Sequence, residues 1–260
     1  MTIAEMRKKK EEKGYTCQMI SEKSGVPLST VQKIFSGATD MPRYDTLIAL
    51  EQVFKETASV HEATDFYQVK RPGEYTLEDY YRIPRERRVE LIDGAIYDMA
   101  APTSVHQMVV GLIYAKLLTY MMEKDGQCLP MVSPLDVQLD CDDKTMLQPD
   151  VVVVCDREKV KAGCIFGAPD FIIEVLSGSS MRRDSIIKLN KYLAAGVREY
   201  WMIDPGQKKV LVYDFEHGRY PVIYGFDAKV PVGIWDGEYA VDFEEVYEHV
   251  RFLYERETDT

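Results

Sequence analysis

One stretch of the chain, Pro169-Asp-Phe-Ile-Ile-Glu-Val-Leu-Ser-Gly178, sets a carboxylate inside a run of apolar residues. Such a run is typical of a β-strand that is covered on both faces of its sheet. An ionised carboxylate buried alone in such a strand costs several kcal/mol even after relaxation. Glu174 must therefore be paired, protonated or bound to a cation.

A second apolar run, Val151-Val-Val-Val154, predicts another strand buried on both faces, and Asp150 stands directly before it. If the two strands are neighbours in one sheet, the carboxylates of Asp150 and Glu174 can converge on one hard cation. Mg²⁺ takes only one or two protein carboxylates and leaves its other positions to water and phosphate. The two runs together predict a site for Mg²⁺ or Mn²⁺.

The surrounding residues predict an α+β or α/β domain. Asp93-Gly94 lies between two alternating segments, a pattern that favours a β-hairpin. Apolar residues at helical spacing predict a long helix over 104–124, and a second helix is predicted over 180–195. The predicted strands lie at about 131–139, 147–155, 170–176, 199–203 and 209–213. The order is helix, three strands, helix and strand.

The first seventy residues carry a different pattern, that of short helices separated by glycines. Thr16 can cap a first helix that Gly25 ends, and Pro27 opens a second that closes at Gly37. The side chains predicted to face inward are Met19, Ile20, Val31, Ile34 and Phe35. An amphipathic helix over 44–54 would cover the pair, so the segment predicts a helix-turn-helix.

Residues 3–56 resemble the helix-turn-helix of the phage-repressor (XRE-like) family. The resemblance implies that the start of the second helix reads base edges in the major groove of DNA. The residues at that start are Leu28, Ser29, Thr30, Gln32 and Lys33. A small helical protein-interaction module is the alternative interpretation of the same pattern.

Length and charge set the domain organisation and narrow the partners. The chain has 260 residues, enough for a small module and a domain of ordinary size. We predict a module over 1–57, a linker over 58–74 that ends in Pro72-Gly73, and a domain over 75–260. The net charge of −11 argues against broad nonspecific nucleic-acid binding. Contacts with DNA must therefore come from local patches.

Cysteine usage and the lack of targeting signals favour the cytoplasm. The five cysteines are scattered, without a Cys-x-x-Cys pair or histidines at zinc-ligand spacing, and we expect reduced core thiols. The N-terminus lacks the apolar stretch of a signal peptide, and we expect no membrane-spanning segment.

The core order and its carboxylates resemble the PD-(D/E)XK nuclease superfamily. More closely, residues 75 to about 215 are similar to the Uma-two family of putative restriction endonucleases. The segments that carry the resemblance are Val89–Gly94, His106, Gln148–Asp150, Ile173–Ser177, Arg182–Lys188 and Tyr192–Pro205. The resemblance implies a restriction-endonuclease-like αβββαβ domain with a mixed central sheet. It also implies that Asp150, Glu174 and the main-chain carbonyl of Val175 bind Mg²⁺.

The chain departs from the superfamily pattern at Leu176, where a lysine two residues after the acidic residue is expected. A cation beside the attacking water is useful because it lowers the pKa of that water and stabilises charge on the phosphate. Lys188, on the next helix, is the candidate replacement, and the resemblance supports this migration. Helical spacing alone predicts that Ile186, Leu189 and Leu193 form the buried stripe and that Lys188 flanks the core.

Three further residues have two interpretations each. Glu90 could be a second carboxylate toward the metal, as the resemblance implies, or a glutamate on a solvated strand face. His106 could donate to phosphate or organise water, or it could cap or pack the long helix. Asp184 could orient Lys188 through an i, i+4 pair, which is worth only a few tenths of a kcal/mol when exposed.

These observations predict a Mg²⁺-dependent endodeoxyribonuclease that a helix-turn-helix, acting as part of a homodimer, delivers to DNA. A regulator that binds DNA without cleaving it, with the nuclease fold used for dimerisation or sensing, is the alternative. An interaction protein with no role on DNA is a third possibility. Metal binding and DNA binding discriminate the three.

Overall fold

The structure, a computed structural model, describes residues 2–39, 42–54, 70–84, 86–177, 183–218 and 220–257, without the side chains of 44, 183–185 and 255–257. Most of the predicted linker therefore lies outside the described residues. Backbone packing divides the chain into two units, 1–100 with 143–145 and 101–142 with 146–260. The predicted boundary near residue 74 stays a prediction, and packing groups residues 70–100 with the N-terminal helices.

The first unit opens with the predicted helix-turn-helix. Its four helices are α1 (Ile3–Glu12), α2 (Cys17–Ser24), α3 (Leu28–Ser36) and α4 (Tyr44–Phe54). Thr16 caps α2 through its side chain, and Gly25 and Gly37 end α2 and α3 in the left-handed conformation, as predicted. One inward residue was predicted wrongly: Met19 is 39% exposed, because Ile20 alone of that pair points at the helical core.

A short helix and a hairpin complete the first unit. They are α5 (Leu77–Arg82), β1 (Val89–Ile92) and β2 (Ala95–Asp98). Asp93 and Gly94 turn the chain with φ of 48° and 71°, which confirms the predicted hairpin. A Cβ on Gly94 would lie 2.5 Å from the carbonyl oxygen of Gly73, so this position requires glycine.

The second unit is built on a six-stranded mixed sheet, as the predicted fold class requires. From one edge to the other its strands run β10, β9, β8, β7, β5 and β3. Only β7 and β8 are parallel; the other neighbours are antiparallel. The strands of the second unit are β3 (Leu129–Val132), β4 (Val137–Gln138), β5 (Val151–Val154), β6 (Ile165–Phe166), β7 (Phe171–Val175), β8 (Glu199–Asp204), β9 (Lys209–Asp214), β10 (Val222–Gly225), β11 (Lys229–Pro231) and β12 (Ala240–Asp242).

Helices cover both faces of this sheet. On one face lie α6 (Ser104–Glu123) and α8 (Phe243–Glu257), whose apolar side chains share a core with β5, β7 and β8. On the other face lies α7 (Leu189–Ala195), preceded by a π-helical turn over Arg183–Lys188. By length and composition α6 could cross a membrane, so the lack of a membrane-spanning segment stays a prediction.

The structure corrects three details of the predicted second domain. The strand predicted at 131–139 is two short strands, because Pro134 has no N–H to continue a ladder. The strands and helix after residue 220 were not predicted. The expectation of five reduced cysteines is also wrong, because Cys128 and Cys155 form a disulfide. They lie one step beyond the paired residues Leu129 and Val154, a proximity that their 27-residue separation conceals.

Candidate active site

Adjacent strands hold Asp150 and Glu174 at facing positions. Strands β5 and β7 are antiparallel, and Val151 pairs with Ile173. One further step of this register sets Asp150 opposite Glu174. Facing residues on neighbouring strands project to the same side of a sheet, so the two apolar runs bring both carboxylates to one end of the strand pair.

The carboxylate of Glu174 is buried and accepts hydrogen bonds from two side chains. Glu174 is 4% exposed, yet the ammonium of Lys188 donates to its Oε1 at 2.8 Å. The hydroxyl of Tyr192 donates to the same oxygen at 2.7 Å. Lys188 and Tyr192 are themselves 1% and 0% exposed. Of the three possibilities for Glu174, the structure shows pairing with a buried cation.

This arrangement reverses the predicted faces of the helix. Ile186 and Leu193, expected inside, are 55% and 53% exposed, whereas Lys188 and Tyr192 are buried. A π-helical turn carries more residues than an α-helical turn, so the segment over Arg183–Lys188 shifts the phase of the side chains. The hydrogen bonds to Glu174 offset the cost of burying Lys188.

Asp150 is held from three sides. The N–H of Val175 donates to its Oδ2 at 2.8 Å, and the Nε2 of His106 lies 3.1 Å from the same oxygen. Its main-chain carbonyl accepts from the N–H of Ser133 at 2.9 Å. The residue after β3, the end of β7 and the start of α6 therefore fix the position of Asp150.

His106 contacts the candidate site directly. Thr103 caps α6 and accepts from the N–H of His106, so His106 is not itself the cap. Its Nδ1 is buried and has no hydrogen-bond partner among the described residues. The ring therefore orients Asp150 through one nitrogen, and its other nitrogen has no partner in the part of the chain that the structure describes.

The residues of the second unit fit a divalent metal ion by the chemistry of their donors. Two facing carboxylates supply hard oxygen ligands of the kind and number that Mg²⁺ takes from proteins. Within the described ranges, no group of three or more His, Cys, Asp or Glu side chains is placed to hold an ion. The fit therefore rests on Asp150 and Glu174 together with the carbonyl of Val175.

For two of the predicted site residues, Glu90 and Asp184, the predicted role at this set stays a prediction. Glu90 belongs to the first unit, where it pairs with Tyr97 across the hairpin. It is 0% exposed, so it does not lie on a solvated strand face. The side chain of Asp184 lies outside the described ones, and its predicted pairing with Lys188 stays a prediction.

In the first unit, helix α3 has an exposed face that carries the predicted DNA-reading residues. Val31 and Ile34 of this helix are buried in the helical core. Four of the predicted residues are exposed and Thr30 is partly buried: Leu28, Ser29, Gln32 and Lys33 are the exposed ones. The face can therefore meet a partner, and the helical core does not use it.

Sequence reasoning missed two residues with defined roles in the second unit. Helical spacing places Tyr192 on one face with Lys188, four residues away, but the sequence assigns Tyr192 no role. Glu199, at the start of β8, is 2% exposed and accepts from the indole of Trp201 at 2.7 Å and the N–H of Ile234 at 2.9 Å. Burial raises the pKa of Glu199, although these hydrogen bonds lower it.

Comparisons with known proteins agree with this architecture. Residues 77–228 match the model of the Uma2 (Uma-two) family, described as "Putative restriction endonuclease", and residues 3–60 match a family described as "Helix-turn-helix". A crystal structure of a putative nuclease belonging to DUF820 from Anabaena variabilis covers 66% of this chain and 97% of its own, with 22% identity and a TM-score of 0.56. That similarity shows the fold. A search of curated proteins finds no match.

Proposed function

Because the chain belongs to the Uma2 family of putative restriction endonucleases, we propose that its second unit is a Mg²⁺-dependent endodeoxyribonuclease that the helix-turn-helix delivers to DNA. One observation carries the proposal. A buried lysine, Lys188, donates to the buried strand carboxylate of Glu174 at 2.8 Å, and Asp150 faces that carboxylate from the next strand. A lysine and two carboxylates at one end of a strand pair are groups that can support metal-assisted phosphodiester hydrolysis.

Asp150, Glu174 and the main-chain carbonyl of Val175 would hold the metal. When bound, Mg²⁺ supplies Lewis-acid polarisation of the scissile phosphate and a lower pKa for its water. Lys188 would position the attacking water and stabilise the charge that develops on the phosphate. His106 restricts the rotation of Asp150 through its Nε2. The metal-binding role implied for Glu90 stays a prediction.

The test compares two glutamine substitutions on purified full-length protein with plasmid DNA and Mg²⁺ or Mn²⁺. Glu174→Gln is expected to lower cleavage by more than about 100-fold, because even outer partners of metal ligands are worth 10–100-fold. Glu199→Gln is the matched control, since it removes the charge of a buried glutamate on the neighbouring strand. Equal cleavage by the unsubstituted chain and Glu174→Gln would remove the proposal.

A second candidate is a DNA-binding regulator that does not cleave. Both carboxylates already accept protein hydrogen bonds, Asp150 from Val175 and Glu174 from Lys188 and Tyr192. Calorimetry that detects no Mg²⁺ or Mn²⁺ binding, together with sequence-specific DNA binding by the full chain, would favour this candidate.

The helix-turn-helix also bears on assembly and location. Paired half-sites on DNA are met by two-fold dimers, so we propose a homodimer. We propose the cytoplasm as the compartment of this protein. Sedimentation of the full chain with and without DNA tests the dimer, and a monomer on DNA would contradict it.

A further inference from the structure

Two donors from one helical segment meet at a single oxygen of Glu174. The ammonium of Lys188 and the hydroxyl of Tyr192 approach Oε1 at 2.8 and 2.7 Å. The two residues are four positions apart, so they share one face of the helix. Lys188 donates a charged hydrogen bond to this oxygen, whereas Tyr192 donates a neutral hydrogen bond that restricts its orientation.

Two donors at one oxygen restrict a carboxylate more than one donor does. With a single donor, the group can turn about its terminal carbon–carbon bond and exchange one oxygen for the other. With two donors fixed in different directions, such a turn breaks both hydrogen bonds at once. The orientation of Glu174 is therefore set by the pair, provided that each donor is itself fixed.

The ring of Tyr192 is fixed by an aromatic row on the same face of the sheet. Its centroid lies 5.1 Å from that of Tyr200, which lies 5.9 Å from that of Tyr213. Tyr192 and Tyr200 are both fully buried. Contacts of this kind hold an aromatic ring in place, while its hydroxyl forms a hydrogen bond with a partner.

We infer that Tyr192 is a positioning residue, which holds the Glu174 carboxylate in the orientation that binds a divalent cation. The inference rests on the proposed function, because it assigns Tyr192 a purpose within that metal site. Tyr192 acts through Glu174 and is not a catalytic residue. A tyrosine that only packed the core would serve equally well as phenylalanine.

The experiment measures Mn²⁺ affinity by calorimetry on three full-length chains: unsubstituted, Tyr192→Phe and Tyr213→Phe. Tyr192→Phe keeps the ring and removes the hydroxyl, and we expect its affinity to fall about tenfold or more, the range seen for outer partners of metal ligands. Tyr213→Phe removes a hydroxyl from the same aromatic row without touching Glu174, and its affinity is expected to stay unchanged. The increase in melting temperature on adding Mn²⁺ is a second readout that remains measurable in a less stable variant.

The results test the positioning role of Tyr192 separately from the metal site itself. If the unsubstituted chain and Tyr192→Phe bind Mn²⁺ equally, the positioning role is overturned, even if Tyr192→Phe melts at a lower temperature. A loss of affinity as large in Tyr213→Phe as in Tyr192→Phe would also overturn it. If the unsubstituted chain binds no Mn²⁺ or Mg²⁺, the proposed metal site itself fails, and the inference fails with it.

Discussion

Two buried glutamates on neighbouring strands of one sheet differ in what surrounds them. Glu174 on β7 and Glu199 on β8 are 4% and 2% exposed. In the parallel register of these strands Glu174 pairs with Met202 and Glu199 with Phe171, so the two side chains lie on opposite faces. Burial alone does not separate them.

Their partners do separate them. Glu174 is balanced by the ammonium of Lys188, whereas the partners described for Glu199 are neutral N–H groups of Trp201 and Ile234. Neutral donors tie the Gly233–Trp235 turn to the sheet, which is a structural task. The buried ammonium of Lys188 beside the buried carboxylate of Glu174 instead holds two charged groups where DNA cleavage is proposed. The lesson is that the charge of the partner, more than burial, marks a candidate site.

The largest expected effect comes from breaking the charged pair. Lys188→Met should destabilise the second unit by about 3–5 kcal/mol, because it leaves Glu174 buried without its cation. The free energy of unfolding can be measured in urea by tryptophan fluorescence, since both tryptophans, Trp201 and Trp235, lie in the second unit. The double variant with Glu174→Gln should recover most of this loss. Strictly additive effects would show that the two groups are not coupled.

The neutral counterpart should show a smaller loss. Glu199→Ala removes the acceptor of at least two buried N–H groups and should cost about 3 kcal/mol. Glu216→Ala is the matched control, because Glu216 pairs with Arg198 at the surface and such pairs are worth less than about 1 kcal/mol. The same urea titration measures both. A Glu199→Ala loss no larger than that of the control would remove the structural role.

A pH series should test the environment of Glu199 through its pKa. Burial raises the pKa of Glu199 above its ordinary value of 4.5. The stabilising contribution of a group with a raised pKa is present below 4.5 and is lost as pH rises through the raised pKa. The melting temperature of the unsubstituted chain should therefore fall relative to that of Glu199→Gln over this rise. A gap that is constant or moves the other way would contradict the direction of the shift.

The smallest effect is expected at the far end of β5. Asp150 precedes this strand and Cys155 follows it, in a disulfide with Cys128. Thiol titration of the unfolded chain without reductant should detect three thiols, those of Cys17, Cys141 and Cys164. Reductant should expose all five and leave plasmid cleavage unchanged, because the bond lies away from the carboxylates. Five thiols before reduction would contradict the pairing.

The sequence predicted the part of the candidate site that depends on the strands alone, the placement of its two carboxylates. Two apolar runs, each beside or around a carboxylate, are enough to bring Asp150 and Glu174 to adjacent strands. The direction of Lys188 could not be obtained in this way, because helical spacing assumes 3.6 residues per turn and the turn before α7 is π-helical. Only the family resemblance pointed Lys188 toward the carboxylates.

Other features depended on contacts between distant residues. The burial of Glu199 is accounted for in part by its hydrogen bond from the N–H of Ile234, which lies 35 positions away along the chain. The disulfide depends on the register of β3 and β5, which no local pattern specifies. The helix-turn-helix was predicted almost completely, since its caps, glycines and apolar spacing are all local.

The π-helical turn determines where Lys188 lies relative to the strand carboxylate. If the six residues 183–188 wound as an α-helix instead, the following helix would be rotated and Tyr192 would be carried away from Glu174, although no residue of the site had changed. Conversely, a relative could keep the same spatial arrangement with its lysine at a different distance from the strand. A survey of such chains that looks for the lysine at a fixed spacing would discard members with this arrangement, whereas one that looks for a cation reaching the strand carboxylate would keep them.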